Sequence, residues 1–169
     1  MKYYLGIDPG KEGAFVIVNQ DSKIVEMIGM PKIGKDYDKQ GIREILMKFN
    51  FDRVLIENPQ MIPAVSKSAV ASLNHCIGLL EGMCLGLGLE YLVVRPKEWQ
   101  KECFKHVNLQ KRPDGGNDTK ATSALASRNL WPRQDFRITN KGSASSKYND
   151  GMTDAALLAE YGRRMFNKV

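Results

Sequence analysis

The first sixty residues alternate short apolar runs with turn signals. Lys2-Tyr-Tyr-Leu-Gly-Ile-Asp8 is apolar and aromatic and breaks at Pro9-Gly10, which predicts a buried strand ending in a tight turn. Glu12-Gly-Ala-Phe-Val-Ile-Val18 follows at once as its hairpin partner, and Lys23 to Met30 predicts a third strand, closed by Pro31 and the polar stretch Lys32 to Lys39. The period then changes. Ile42, Ile45, Leu46 and Phe49 fall at helical spacing, predicting an amphipathic helix from Lys39 to Phe49 that Asn50 ends. Phe51-Asp-Arg-Val-Leu-Ile-Glu57 returns to a strand pattern and repeats the arrangement at Asp8: an apolar run, an acid at its end, a proline soon after.

From Ser66 to Leu87 the pattern predicts the longest helix, with Ser66 or Ser68 as cap and one apolar stripe of Val70, Leu73, Ile77, Leu80, Cys84 and Leu87. Gly78, Gly82 and Gly86 recur every fourth residue and share a face. Each glycine costs a helix about 1 kcal/mol relative to alanine, so three on one face point to another backbone packed close by. That backbone is either the sheet of the same chain or a second subunit. Tyr91 to Arg95 predicts a further strand, and Pro96 starts a short helix containing Trp99. Residues 105 to 119 read as a flexible polar loop, Thr119 to Leu130 as a helix capped by Asp118 or Thr119, and Arg133 to Asn149 as a second polar loop. A last helix starts at Asn149 or Asp150 and runs to Phe166, with Ala155, Leu157, Leu158 and Tyr161 toward the core and Arg163, Arg164 and Lys168 at its basic end.

This order of elements predicts one α/β domain over residues 1–169. Its mixed five-stranded sheet has three antiparallel strands first and then strands parallel to the first, because helical crossovers return the chain in the same direction. Helices cover both faces.

Composition narrows the class. A net charge of +6 and a pI of about 9.2 suit a polyanionic partner. Cys76, Cys84 and Cys103 form no CxxC pair and read as free thiols of a reducing compartment, hence a cytoplasmic expectation, with an organelle as the alternative. His75 and His106 lie far apart, with no zinc-like neighbours. No stretch reads as long and apolar enough to span a bilayer, and the first apolar run is too short for a signal peptide, so neither a membrane nor an organic cofactor is expected.

The acids carry the chemistry. Asp8 and Glu57 end two strands on the side where the chain exits, and meet if those strands are parallel neighbours. Asp150 and Asp154, four apart, share a face at the start of the last helix. Each has a bland alternative: a turn former for Asp8, a strand-end acid for Glu57, an N-cap for Asp150. Four carboxylates brought together repel one another, and the cluster becomes favourable when hard divalent cations such as Mg²⁺ neutralise it. Two such ions roughly 4 Å apart can activate a water and stabilise the leaving oxygen of a phosphodiester.

Gly6-Ile-Asp8-Pro-Gly10, Leu55-Ile-Glu57-Asn-Pro59 and Asp150-Gly-Met-Thr-Asp154-Ala-Ala-Leu-Leu-Ala159 together resemble the three acidic motifs of RuvC-type Holliday junction resolvases, with spacing similar to the phage-like and organellar members. The resemblance covers nearly the whole chain in order. It implies an RNase H-like fold, a homodimer, and cleavage of four-way DNA junctions with Mg²⁺ or Mn²⁺. It also implies Asp8, Glu57, Asp150 and Asp154 as metal ligands, and Gly78, Gly82 and Gly86 at the dimer interface. The chain departs from bacterial members in lacking an aromatic after the second acid, which leaves Gln60 or Met61 to wedge into the junction. Candidate phosphate contacts are Lys111, Arg112, Lys120, Arg133, Arg137, Lys141 and Lys147. Lys147 is either a stabiliser of the scissile phosphate or a solvated loop lysine. Alternatives are a ribonuclease H-like enzyme cutting RNA–DNA hybrids, to which the glycine-faced helix lends nothing, and a non-catalytic junction-binding module, for which four acids facing phosphates bring no gain. An actin-like kinase would need two such domains.

Overall fold

A computed structural model describes residues 1–59, 66–137 and 149–167. Five strands form one sheet: β1 (Tyr3–Asp8), β2 (Ala14–Asn19), β3 (Ile24–Gly29), β6 (Phe51–Glu57) and β7 (Tyr91–Val94), in the order β3-β2-β1-β6-β7. The first three form an antiparallel meander, and β6 and β7 run parallel to β1 and to each other, as the crossover argument requires. The polar stretch after β3 is not plain loop. It folds into a two-residue ladder, β4 (Lys32–Ile33) with β5 (Asp36–Tyr37), turning at Gly34, where φ is +60°. Its strands are too short and polar for the pattern to reveal.

The helices are α1 (Lys39–Met47), α2 (Lys67–Gly86), α3 (Pro96–Cys103), α4 (Thr119–Leu130) and α5 (Asp150–Phe166). Side chains of Asp38, Ser66, Asp118 and Asn149 accept hydrogen bonds from first-turn amides of α1, α2, α4 and α5. The alternation along the strands then splits the interior in two. Leu5, Ile7, Phe15, Ile17, Val54 and Ile56 point to the face covered by α1 and α2, while Val16, Val18 and Leu55 point to the face of α3, α4 and α5. Asp8 and Glu57 have the parity of the second face.

Helix α5 is the axis of that face, buried on nearly all sides from Gly151 to Gly162. A Cβ at Gly6 would stand 2.0 Å from the Ala155 carbonyl oxygen and 2.5 Å from the Ala159 nitrogen, so only glycine lets the α5 backbone rest on β1.

Helix α2 differs from expectation in two ways. Among the described residues it is long and apolar enough, by length and composition, to cross a membrane. Its Cys76, Leu80 and Cys84 nonetheless pack into the α1/α2 side of the core, while most of the helix lies outside it. The glycine face resolves one alternative: nothing lies within 4 Å of a Cβ built at Gly78, Gly82 or Gly86, so these residues do not pack on the sheet. All three cysteines are free and buried, and burial pushes the Cys84 and Cys103 thiols up to about 12.

Candidate active site

Parallel pairing of β1 with β6 puts Asp8 and Glu57 at the same end of the sheet, and α5 enters that end with Asp150 and Asp154 in its first two turns. Close approach is again secured by a glycine. A Cβ at Gly151 would lie 2.9 Å from Asp8 Oδ2 and 2.9 Å from the Glu12 carbonyl oxygen, so any other residue would push α5 off the Asp8 carboxylate.

The electrostatics follow from this crowding. Burial drives the Asp8 carboxyl well above its ordinary range, and the charges of Glu57, Asp154 and Asp150 add to the effect. Asp154 is pushed up to about 7, first by burial and then by Glu57 and Asp150, against an opposing hydrogen bond with Ser123. One of its oxygens, Oδ1, is buried without a hydrogen-bond partner. Burial also raises Glu57, less than it otherwise would because Trp99 Nε1–H donates to Glu57 Oε1 at 2.8 Å. The acids from three chain segments therefore share one desolvated neighbourhood.

They do not form a finished cage. Among the described residues no three Asp, Glu, His or Cys groups stand together closely enough to hold an ion as they are placed. Asp150 instead pairs with Lys120, whose Nζ lies 2.7 Å from Asp150 Oδ2. The donor chemistry nonetheless fits a hard cation: carboxylate oxygens, one buried and unpartnered, in mutual repulsion that a divalent ion would relieve.

The first turn of α4 supplies two of the partners. Lys120 and Ser123, three apart, both face the acids. Lys120, a candidate DNA contact in the sequence, thus pairs with one of the acids. Ser123 and Trp99 had no sequence signal, because their roles depend on which helix face meets the sheet end. The glycines had one: Gly6 shares a strand face with Asp8, and Gly151 adjoins Asp150.

The other basic candidates are scattered. Lys111 Nζ donates to Asn117 Oδ1 at 2.6 Å, and Arg112 stands 3.5 Å from Asp114, so both are engaged within their own loop. Arg137 pairs with Asp135 at 3.0 Å. Arg133 lines a cleft with Ser22, Lys23 and Ile24, beside the β2–β3 turn and thus at the sheet end opposite the acids. Gln60, Met61, Lys141, Lys147 and Lys168 lie outside the described residues.

No protein-family model matches the chain, and no curated protein matches it by sequence. Solved structures share its fold. Thermus thermophilus RuvC in complex with a Holliday junction substrate is 14% identical, with a TM-score of 0.66 over 98% of this chain and 96% of that one. The yeast mitochondrial Holliday junction resolvase Ydc2 is 18% identical, with a TM-score of 0.64 over 96% of this chain and 78% of that one. The fowlpox virus Holliday junction resolvase is 13% identical, with a TM-score of 0.55 over 96% and 99%. The mixed sheet is thus the RNase H-like fold of RuvC.

Proposed function

We propose that this chain is a divalent-metal-dependent endonuclease that resolves four-way DNA junctions, acting as a homodimer and belonging to the phage-like branch of RuvC-type resolvases. The observation that carries the reading is the group of desolvated, mutually repelling carboxylates, Asp8, Glu57 and Asp154, gathered at one sheet end with Asp154 Oδ1 unpartnered. A fold gains nothing from such a group alone, and a cation recovers its cost. The fold likeness to junction resolvases of bacterial, mitochondrial and viral origin supports the choice of substrate.

In this reading Asp8, Glu57, Asp150 and Asp154 would hold Mg²⁺ or Mn²⁺. When bound, such ions activate a water for attack on phosphorus and stabilise the leaving oxygen. The chain's own residues prepare the site. Trp99 fixes the direction of the Glu57 carboxylate by its 2.8 Å hydrogen bond, and Ser123 stands beside Asp154 and favours its charged form. Lys120 neutralises Asp150 across 2.7 Å and would supply positive charge beside a phosphate bound at the acids. The open glycine face of α2, beside the exposed Leu85, supports the homodimer, since close helix approach there has room for a second copy. Two sites related by a twofold axis match the symmetry of a four-way junction.

The test is incubation with labelled four-way junction, linear duplex of the same sequence and RNA–DNA hybrid, each with Mg²⁺ or with EDTA. Paired symmetric nicks in the junction alone, lost in EDTA, are expected. Cutting of the hybrid in place of the junction would move the activity to a ribonuclease, and binding without cutting would make the chain a junction-binding module.

A further inference from the structure

Beside the acid site lies a second concavity made of elements that the acid chemistry does not use. A cleft of about 280 Å³ is lined by Lys11, Lys35, Lys39, Tyr37, Ser72 and His75, with Asp36 at its edge. Three cations face one acid. Among the described residues none of the three ammonium groups has a carboxylate within ion-pair distance, unlike Lys32, Lys48, Lys105 and Lys120.

The walls are built rather than incidental. Lys35 sits on the tight β4–β5 turn, whose base is tied by the Asp38 amide donating to the Pro31 carbonyl at 3.0 Å. Asp38 also caps α1, which sets Lys39 in its first turn. Lys11 occupies the turn after β1, closed by the Gly13 amide donating to the Gly10 carbonyl at 3.1 Å. Tyr37 is 8% exposed, its ring lies 6.3 Å from that of His75, and its hydroxyl points inward beside Ser72 and Cys76, so the residue anchors the ladder to the core.

The cleft opens at the same sheet end as the acids. Lys11 follows Asp8 by three residues, and β3 delivers the β4–β5 ladder from the pairing Asp8↔Ala14↔Gly29. The acids occupy the α5 side of that end and the cleft the α2 side.

We propose that this cleft is a phosphate-binding site that takes a backbone phosphodiester of the nucleic acid strand beside the scissile one, with Lys11, Lys35 and Lys39 neutralising it. The proposal rests on the nuclease reading above. It gives the β4–β5 ladder a purpose: presenting Lys35 to the substrate.

The test measures junction binding in EDTA across a salt series for the wild-type chain and Lys35→Ala/Lys39→Ala, alongside their melting temperatures and a titration with inorganic phosphate. Each lost phosphate contact reduces the slope of log K against log salt by about 0.9. The double variant is therefore expected to lose up to about 0.9 in slope while melting like the wild type. Unchanged slope with intact wild-type binding overturns the proposal and leaves the nuclease reading standing. Saturation by millimolar phosphate with unchanged slope would make the cleft a site for small free anions, which also overturns it. A wild-type chain that binds no junction but binds another nucleic acid refutes the junction reading, and the same slope comparison on that ligand then decides the cleft.

Discussion

Helix α5 buries carboxylates at both ends and treats them in opposite ways. Near its C-terminus Glu160 is 1% exposed and fully matched: Arg163 Nε donates to it at 2.7 Å, Arg164 Nε at 2.8 Å and the Ser22 hydroxyl at 2.9 Å. Burial alone would raise its pKa, but the two guanidinium groups and the hydroxyl hold it below the ordinary value. At the N-terminus Asp154 has the opposite shift, up to about 7, and an orphaned oxygen. The same residue class on one helix is a structural anchor where cations belong to the chain and a vacancy in charge where they do not. A buried acid therefore signals a ligand site only when its own fold leaves it uncompensated.

The sharpest way to break this contrast is Asp154→Asn. Removing the charge should reduce metal-dependent cleavage by a factor of about 10³ or more, corresponding to roughly 4 kcal/mol of barrier, measured on the junction substrate. The same change should stabilise the metal-free protein at pH 8, because the wild-type acid must there ionise against a pKa near 7; the linkage is on the order of 4 kcal/mol at most. Melting temperatures in EDTA check this. Mg²⁺ should raise the melting temperature of the wild type and leave that of the variant nearly unchanged.

Glu160→Gln tests the other end. It leaves two arginines without their buried counter-charge and should cost about 3 kcal/mol in stability, read from denaturant unfolding, with cleavage preserved below the unfolding midpoint.

Acidity should separate the two ends without mutation. Asp8, Glu57 and Asp154 have raised folded pKa values, so their contribution is fully present below the unfolded carboxylate value and is lost as pH rises through the folded values, which for Asp154 is about 7. Glu160 has a lowered one, so its contribution is present above the unfolded value and lost as pH falls through the folded one. Metal-free stability should thus decline from the mildly acidic range toward neutrality and collapse again in stronger acid, while cleavage rises through neutrality as the acids lose their protons. A melting series against pH, with and without Mg²⁺, reads both limbs, and Mg²⁺ should flatten the first alone.

The smallest expected effect is that of Trp99→Phe. It removes the 2.8 Å donor to Glu57 and should cost about 1 kcal/mol. Since that donor lowers the Glu57 pKa, the cleavage profile should move to higher pH in the variant.

How much of this was legible in the chain depends on the range over which each feature is decided. The strand ending at Glu57 and the helices at 119–130 and 150–166 follow from local periodicity, caps and breakers, and their observed limits agree with the sequence reading. Parallel pairing of β1 with β6 followed from the handedness and direction of crossovers, so the meeting of Asp8 with Glu57 was legible too. The β4–β5 ladder was not, because two-residue strands carry no period. Neither were Trp99, Ser123 and Lys120 as companions of the acids, since which helix face meets a sheet end depends on how α3 and α4 settle against α5.

By itself the sequence determined the elements, their order and the residue types at the sheet end, all of which rest on interactions between near neighbours along the chain. Only the tertiary structure decided that α5 lies against β1 through Gly6 and Gly151, that Gly78, Gly82 and Gly86 face open space, and that Asp154 is left uncompensated while Glu160 is not. Those outcomes turn on contacts between residues far apart in the chain, where burial removes water and makes the presence or absence of one counter-charge decisive.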